Sequence, residues 1–502
     1  MAMNENNRFY GEIKVASRIV DYLSSGLYES PAACLKELIN NSYDADAKNV
    51  NIFVKPDADR IIIEDDGEGM NKQEFQKHFD LIAQSHKRDE SDHTPSGRPK
   101  IGKIGIGFIA ANEICDVMEI HSTKRGSNEL LQVNIDFSKM REDPVTRRRD
   151  GEELAKGDYE GVVTTTDPDD HYTYVFLKQV RGDARNILAS AKRNISSTGI
   201  QSLYGLSDKS IAEILGSESL TTWDKLDPYS ENLLKVALSI PVKYYDSWLP
   251  EKLRSKVKWF ETKLRKLDFS VKYDGSELRQ PIILGHSAKR SIIKTFDFKG
   301  NNVSAQGYFF AQHNALKPQD LNGLLVRIRH AAIGSFDKSF MDFPTTIGTL
   351  FQRWISAEIW ADDRLEDALN IDRKTLRTSH PAYVELQKAV HDFLSEFLGE
   401  VRRNLYQTGN IARRREQAKK TLVSLQSITK EEIAPISRET AKLIASEWGT
   451  YHDDAPAEFE KKLLKKYTVL DIYSIVVEVA KDVLDKRQFQ QFFKKLTERL
   501  KS

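Results

Sequence analysis

The sequence predicts an α+β protein with a helical tail, and three observations carry that prediction. Helical and strand-like runs alternate over residues 1–180, they mix again over 242–400, and beyond 401 the chain is helical and highly charged. The first helix is placed by its start. Ser30 offers an N-cap hydroxyl and Pro31 suits a first turn, so a helix is expected over 31–43. Residues 50–54 and 60–64 read as two strands, and Lys55-Pro56-Asp57-Ala58-Asp59 between them has hairpin-turn chemistry. Residues 84–100 are polar and rich in turn formers, as in a mobile loop. Residues 101–115 open with glycines and run into a helix, and 175–177 read as a further strand. Leu324-Leu325-Val326-Arg327-Ile328-Arg329 reads as a strand alternating apolar and basic positions.

Length and composition bound the rest. A chain of 502 residues is too long for one hydrophobic core, so two to four domains are expected, and the pattern along the chain divides it into 1–180, 181–241, 242–400 and 401–502. Two cysteines, Cys34 and Cys115, exclude a disulfide framework and a cysteine-rich zinc site. No stretch of about 18 apolar residues occurs, so no transmembrane helix is expected. The polar start, Met1 to Tyr10, lacks the apolar core of a signal peptide, and a cytoplasmic location follows as an expectation. A net charge of +1 gives no global pull towards nucleic acid. Arg147-Arg148-Arg149 and Arg413-Arg414-Arg415 have acidic neighbours and read first as solvated faces. Leu484, Phe489, Phe492, Phe493, Leu496 and Leu500 recur at roughly helical spacing, which suits a packing or dimerisation face.

Three motifs carry chemistry. In Glu37-Leu38-Ile39-Asn40-Asn41-Ser42-Tyr43-Asp44, the residues Glu37, Asn41 and Asp44 stand at i, i+4 and i+7 and share one helix face. A carboxylate there can orient and deprotonate a water, and an amide oxygen is a hard ligand suited to Mg²⁺. The second motif, Asp65-Asp66-Gly67-Glu68-Gly69-Met70, follows the apolar run Ile61-Ile62-Ile63. A carboxylate at a strand end can accept from an exocyclic amine, and glycines behind it admit a flat base. The third, Gly102-Lys103-Ile104-Gly105-Ile106-Gly107-Phe108, leads towards a helix, where backbone N–H groups can cradle phosphate. Its spacing is neither the dinucleotide fingerprint nor the phosphate loop ending in Gly-Lys-Ser/Thr.

In this order and spacing the three motifs resemble those of the GHKL (Bergerat-fold) superfamily, the group of gyrase, heat-shock protein 90, histidine kinases and MutL, with the MORC ATPases as relatives. The resemblance implies an N-terminal α/β sandwich that binds ATP and Mg²⁺. It makes Glu37 the general base and Asn41 the magnesium ligand. It puts Asp44 and Asp65 on the adenine side, with Asp65 receiving the amine directly. Gly67, Gly69 and Met70 then shape the base pocket, and Gly102, Gly105, Gly107 and Phe108 belong to a phosphate-covering lid. Thr173, before Tyr174-Val175-Phe176-Leu177, is the candidate for the late-strand threonine, although Tyr172 stands where the family has glycine. His86 reads as a residue of that lid loop.

Residues 367–376, Asp-Ala-Leu-Asn-Ile-Asp-Arg-Lys-Thr-Leu, resemble the segment of the heat-shock protein 90 middle domain that carries a γ-phosphate-binding arginine. Arg373 takes that role by resemblance, with Lys374 in reserve because MutL-type relatives use lysine. The segment 242–400 is then a transducer domain. The function implied is an ATPase that works as a homodimeric, chaperone-like clamp on a protein client. Two alternatives stay open: a MutL- or MORC-like ATPase acting on DNA or in phage defence, and a nucleotide-sensing module that does not hydrolyse.

Overall fold

The computed structural model describes residues 30–55, 57–79, 93–102, 110–138, 159–192, 201–245, 268–281, 291–344, 353–370, 373–407 and 469–499. Helix α1 (Pro31–Asp44) starts where its cap predicts. Ser30 is extended and its hydroxyl accepts the Ala33 N–H at 3.4 Å. Strands β1 (Asn49–Val54) and β2 (Arg60–Asp65) pair antiparallel, with Val54 opposite Ile61. Helices α2 (Lys72–Phe79) and α3 (Ala111–Ile114) follow. Next come β3 (Cys115–Thr123), β4 (Glu129–Asp136), β5 (Tyr159–Thr165) and β6 (Tyr172–Val180). Cys115, expected at the end of a helix, opens a strand and pairs with Val180. The residues beyond it explain why: Met118 and Ile120 are buried while Val117, Glu119 and His121 are only half-buried, a period of two rather than 3.6.

Three more helices, α4 (Gly182–Ala189), α5 (Asp208–Leu215) and α6 (Pro228–Ser239), come from the segment expected to be helical. Helix α6 packs on α1, on α4 and on a strand of a second sheet. Strands β7 (Ser270–Tyr273) and β8 (Ser276–Glu277) lie within 242–400 in sequence yet complete the first sheet. That sheet has eight strands in the order β5-β4-β3-β6-β2-β1-β7-β8, and β7 runs parallel to β1. Asp274 fixes this join: its carboxylate accepts from the Val54 N–H and from the Tyr229 hydroxyl, each at 2.8 Å. Asp274 and Gly275 both have positive φ, 46° and 86°, as a tight two-residue hairpin turn requires.

The second sheet uses β9 (Ser291–Lys299), β10 (Ser304–Gln312), β11 (Gly323–Ile328), β12 (Ala331–Asp337) and β13 (Ile355–Ala361), in the order β12-β11-β13-β10-β9. Strand β11 does not alternate in burial, as its basic and apolar pattern led us to expect: all six residues are buried. Arg327 is tolerated there because Glu358 on β13 receives its Nε at 2.8 Å and the Leu238 carbonyl receives its Nη1 at 3.0 Å. Tyr244 and Tyr308 donate to the same Glu358 carboxylate at 2.8 and 2.7 Å, and burial pushes both phenols well up. Helix α7 (Pro381–Val401) meets this sheet through Phe393 and Phe397, whose rings lie against Phe296 and Phe309, and its Leu386, Val390 and Leu394 are buried. One contiguous apolar core joins residues of both sheets.

The chain divides into two compact units, 1–398 and 399–502. In the second, α8 (Val469–Val483) and α9 (Lys486–Arg499) pack together, burying Val477, Ala480, Phe489 and Phe493. Of the helically spaced apolar residues of the tail, Phe489 and Phe493 are buried, Leu484, Phe492 and Leu496 are half-buried, and Leu500 lies outside the described residues. Both arginine triplets lie outside the described residues. Among the described residues no helix is long and apolar enough to cross a membrane.

Candidate nucleotide site

The site is built where α1 crosses the end of β2. Asp65 is the last residue of β2 and is 5% exposed. Its Oδ2 accepts from the Ser42 hydroxyl at 2.8 Å and its Oδ1 from the Gly67 N–H at 3.0 Å. Burial raises its pKa to about 6, against the lowering effect of those two bonds. The adjacent Asp66 does different work. It ties down the turn after α1 by accepting from the Lys48 and Asn49 N–H groups at 2.7 and 2.8 Å. The two neighbouring carboxylates therefore split into one buried group and one partly exposed turn anchor.

Gly69 has φ +68°, and a Cβ there would lie 1.7 Å from the Thr123 carbonyl oxygen, so no side chain fits. A Cβ on Gly67 would crowd the Ala45 carbonyl at 2.7 Å and the Asp65 carboxylate at 2.9 Å. Met70 N–H donates to the Ser122 hydroxyl at 2.9 Å, and that hydroxyl meets Thr173 Oγ1 at 2.9 Å. Thr173 stands opposite Asp65 in the ladder and is itself buried. Asp65, Gly67, Gly69, Met70 and Thr173, distant in sequence, are thus one surface. Ser42 and Ser122 bind it together, and no sequence motif had singled them out.

Glu37 and Asn41 lie half-buried on the α1 face, one turn apart. Asp44, the third residue of that face, is buried and meets the start of the glycine segment. Its Oδ1 accepts the Ile101 N–H at 2.6 Å and its Oδ2 the Gly102 N–H at 2.8 Å. The physical reason is its register at the C-terminal turn of α1, where the start of the glycine segment offers two backbone donors. Gly102 is therefore held at the site. Gly105, Gly107, Phe108 and His86 lie outside the described residues.

The loop expected over 84–100 is anchored in its described part. Asp46, at φ 63°, accepts from Thr94 Oγ1 at 2.7 Å, Ser96 N–H at 3.0 Å and Arg98 Nη2 at 2.8 Å. Arg98 also sits 4.7 Å above the Tyr43 ring. Desolvation raises the Asp46 pKa, but bonds from Ser96, Thr94 and Arg98 outweigh it and hold the carboxyl below its ordinary value.

Arg373 reaches the same place from the second sheet's side. It lies not on a helix but in a turn, where its N–H bonds to the Asn370 carbonyl at 3.0 Å and Leu369 bridges to Leu376. Its Nη2 donates to the Ile101 carbonyl at 2.7 Å. Lys36, next to Glu37, donates to the Ala332 carbonyl of β12 at 3.2 Å. Burial lowers the Lys36 pKa, Glu37 opposes this, and the charges of Arg373, Lys374 and Arg327 lower it further. Helix α1 thus links these parts: Ser42 holds the buried Asp65, Asp44 holds the backbone at 101–102, and Arg373 bonds to Ile101.

The fold and these motifs define the class: an α/β ATPase domain of the GHKL superfamily. Residues 28–173 match the family described as histidine kinase-, DNA gyrase B- and HSP90-like ATPases. Over this stretch the chain is similar to HSP90-like chaperones among other relatives. It is 35% identical over 115 residues to the "Putative type II restriction enzyme HgiDII" of Herpetosiphon aurantiacus, covering 23% of this chain and 18% of that one. It is 29% identical over 147 residues to the chaperone protein HtpG of Gluconobacter oxydans (strain 621H), covering 25% and 23%. With HtpG of Bacillus subtilis (strain 168) the identity is 30% over 139 residues, covering 24% and 22%. The chain thus spans less than a quarter of the length of each of these relatives.

Proposed function

We propose that this protein binds ATP with Mg²⁺, hydrolyses it, and uses lid closure and N-terminal dimerisation as a chaperone-like clamp. The observation that carries the reading is the buried Asp65 carboxylate, held by Ser42 of the Glu37–Asn41 helix, together with Asp44 of the same helix, which meets the start of the glycine segment where Arg373 also bonds. The residues fit an adenine nucleotide chemically. A carboxylate has about four acceptor positions, and Asp65 spends two, which leaves capacity for the exocyclic amine. Gly69 keeps the base-side wall free of a side chain. Asn41 would hold Mg²⁺ through its amide oxygen, and the metal would supply charge neutralisation at the phosphates.

In this reading Glu37 accepts the proton of the attacking water. Arg373 exchanges the Ile101 carbonyl for the γ-phosphoryl oxygens and neutralises charge developing there. Gly102 leads the backbone towards the phosphates, and Gly105, Gly107 and Phe108 belong to the covering lid. The domain scheme of 1–180, 181–241, 242–400 and 401–502 stands as part of this proposal, with the third segment as transducer except for β7 and β8, which complete the first sheet. The test is ATP turnover by the full chain with and without DNA, together with oligomer mass in a non-hydrolysable ATP analogue. DNA-independent turnover and nucleotide-dependent dimerisation support the clamp. Turnover that requires DNA points instead to a DNA-handling ATPase, and tight binding without turnover to a sensor.

A further inference from the structure

The backbone at 100–102, where the glycine segment begins, is gripped along both edges. On its N–H edge stand the two Asp44 oxygens. On its carbonyl edge, Arg329 Nη1 donates to Lys100 and Arg373 Nη2 to Ile101 at 2.7 Å. The two arginines are held very differently. The Arg329 side chain is 3% exposed, donates to the Lys100 carbonyl and to Asp363 Oδ1 at 2.8 Å, and forms an ion pair with Glu366 Oε2 at 3.4 Å. The Arg373 side chain is 16% exposed and has the Ile101 carbonyl plus Glu366 Oε1 at 3.9 Å. A pairing at 3.9 Å is beyond hydrogen-bond range, whereas charge-assisted bonds near 2.8 Å are the strong ones. Both residues also hold left-handed backbone, φ 49° and 51°, which non-glycine residues adopt only when their surroundings impose it.

We propose that Arg329 is a positioning residue of the nucleotide site: the fixed pin of the 100–102 hinge, held by Asp363 and Glu366, while Arg373 is the exchangeable contact. The division of labour follows from what each would have to give up. Arg373 leaves one neutral carbonyl and one long pairing when an anion offers it more. Arg329 would abandon two hydrogen bonds, one of them to a carboxylate, and a second carboxylate's charge, from a buried position. The hinge therefore stays attached to the second sheet's side while the arginine beside it transfers. The assignment of Arg373 rests on the ATPase reading above, but the pin exists without nucleotide.

The test is amide hydrogen exchange of the full-length, nucleotide-free protein in Arg329→Gln, Arg329→Lys and Arg373→Ala. Arg329→Gln should speed exchange in a peptide covering 100–102 by about tenfold or more, the loss expected of hydrogen bonds to a charged group. Exchange in β9 and β10 should not change. Arg329→Lys should restore only part of the protection, because an ammonium lacks the planar fork that serves several acceptors. Arg373→Ala should alter this exchange much less, though it should lower ATP turnover. Wild-type exchange at 100–102 in Arg329→Gln overturns the pin. So does an equal or larger loosening in Arg373→Ala. If Arg329→Gln does not fold, Arg329→Lys decides the matter: full protection there means that charge alone suffices, and the proposed geometry is wrong. An absence of ATP hydrolysis would defeat the ATPase reading and leave these exchange results standing.

Discussion

At the residue scale, Asp65 makes a pH prediction with a definite sign. Its pKa in the fold is about 6, raised from 3.8 chiefly by burial. The neutral form is thus favoured by folding. Its contribution to stability is full below about pH 4 and is lost as pH rises through about 6. A donated amine hydrogen bond favours the ionised form, so an adenine nucleotide should bind better as pH rises through 6 and reach a plateau above it. Calorimetric titration across pH 5–8 (in paired buffers of different ionisation enthalpy) should also detect proton release near pH 6. Asp65→Asn should remove both the proton linkage and most of the affinity, about 1.5–3 kcal/mol or more. Wild-type affinity in that variant would withdraw Asp65 from the base site. Glu37→Ala should still bind ATP with Mg²⁺ but turn it over about 10²–10⁴-fold more slowly. Unchanged turnover would remove Glu37 from the chemistry.

Among single residues, those with a chemical signature were legible in the sequence. Glu37, Asp65, Gly67 and Gly69 stand in short local motifs, where spacing along one helix or one strand end fixes who neighbours whom. Ser42 and Ser122 were not legible, because a serine's role depends on which strand or helix lies opposite. The Asp44 carboxylate also satisfies two backbone donors some sixty positions further on, a pairing no local pattern encodes.

At the scale of elements, the turn after α1 and the segment 93–98 act as one piece, joined through Asp46. Asp46→Ala removes several bonds, leaves Arg98 buried and unpaired, and places a Cβ-bearing residue with no polar side chain at φ 63°. It should cost about 3 kcal/mol, measured by denaturant unfolding, and free the 94–98 amides to exchange. Asp46→Asn should cost less, because asparagine tolerates that backbone and can still accept. The Asp46 pKa is lowered in the fold, so its stabilisation is present above the unfolded value and is lost as pH falls through the folded one. An Asp46→Ala variant as stable as wild type at pH 7 would show that the turn holds itself.

Elements with strong ends were the easiest to read. The Ser30–Pro31 start of α1 and the β1–β2 hairpin carry their own caps and turns. Strands β7 and β8 were missed as part of the first sheet. The Asp274-Gly275 turn between Tyr273 and Ser276 is a recognisable hairpin signal. Its partner strand, however, is more than two hundred residues earlier, and parallel pairing of β7 with β1 leaves no local trace.

At the scale of the whole molecule, the testable claim is that nucleotide joins two sheets. Arg373→Ala should spare ADP, which lacks the γ-phosphate, while reducing hydrolysis. Full arginine-finger effects reach about 10³–10⁵ in rate, and an effect near or below the low end is expected here, because Lys36, Arg329 and Lys374 stand nearby. Small-angle scattering should show less compaction with a non-hydrolysable ATP analogue, and Lys374→Ala should do much less. Wild-type turnover in Arg373→Ala would break the link between the sheets, and a strong loss in Lys374→Ala would move the role by one residue.

The sequence alone determined the α+β class, the capped first helix, and the identity and order of the nucleotide motifs, because each rests on contacts within a few residues or on one helix face. Only the tertiary structure decided that 270–277 closes the first sheet, that Arg327 lies buried against Glu358, and that Asp44, Arg329 and Arg373 meet at 100–102. Those outcomes depend on which distant backbone groups are left needing partners once the sheets are formed, and burial makes satisfying them obligatory.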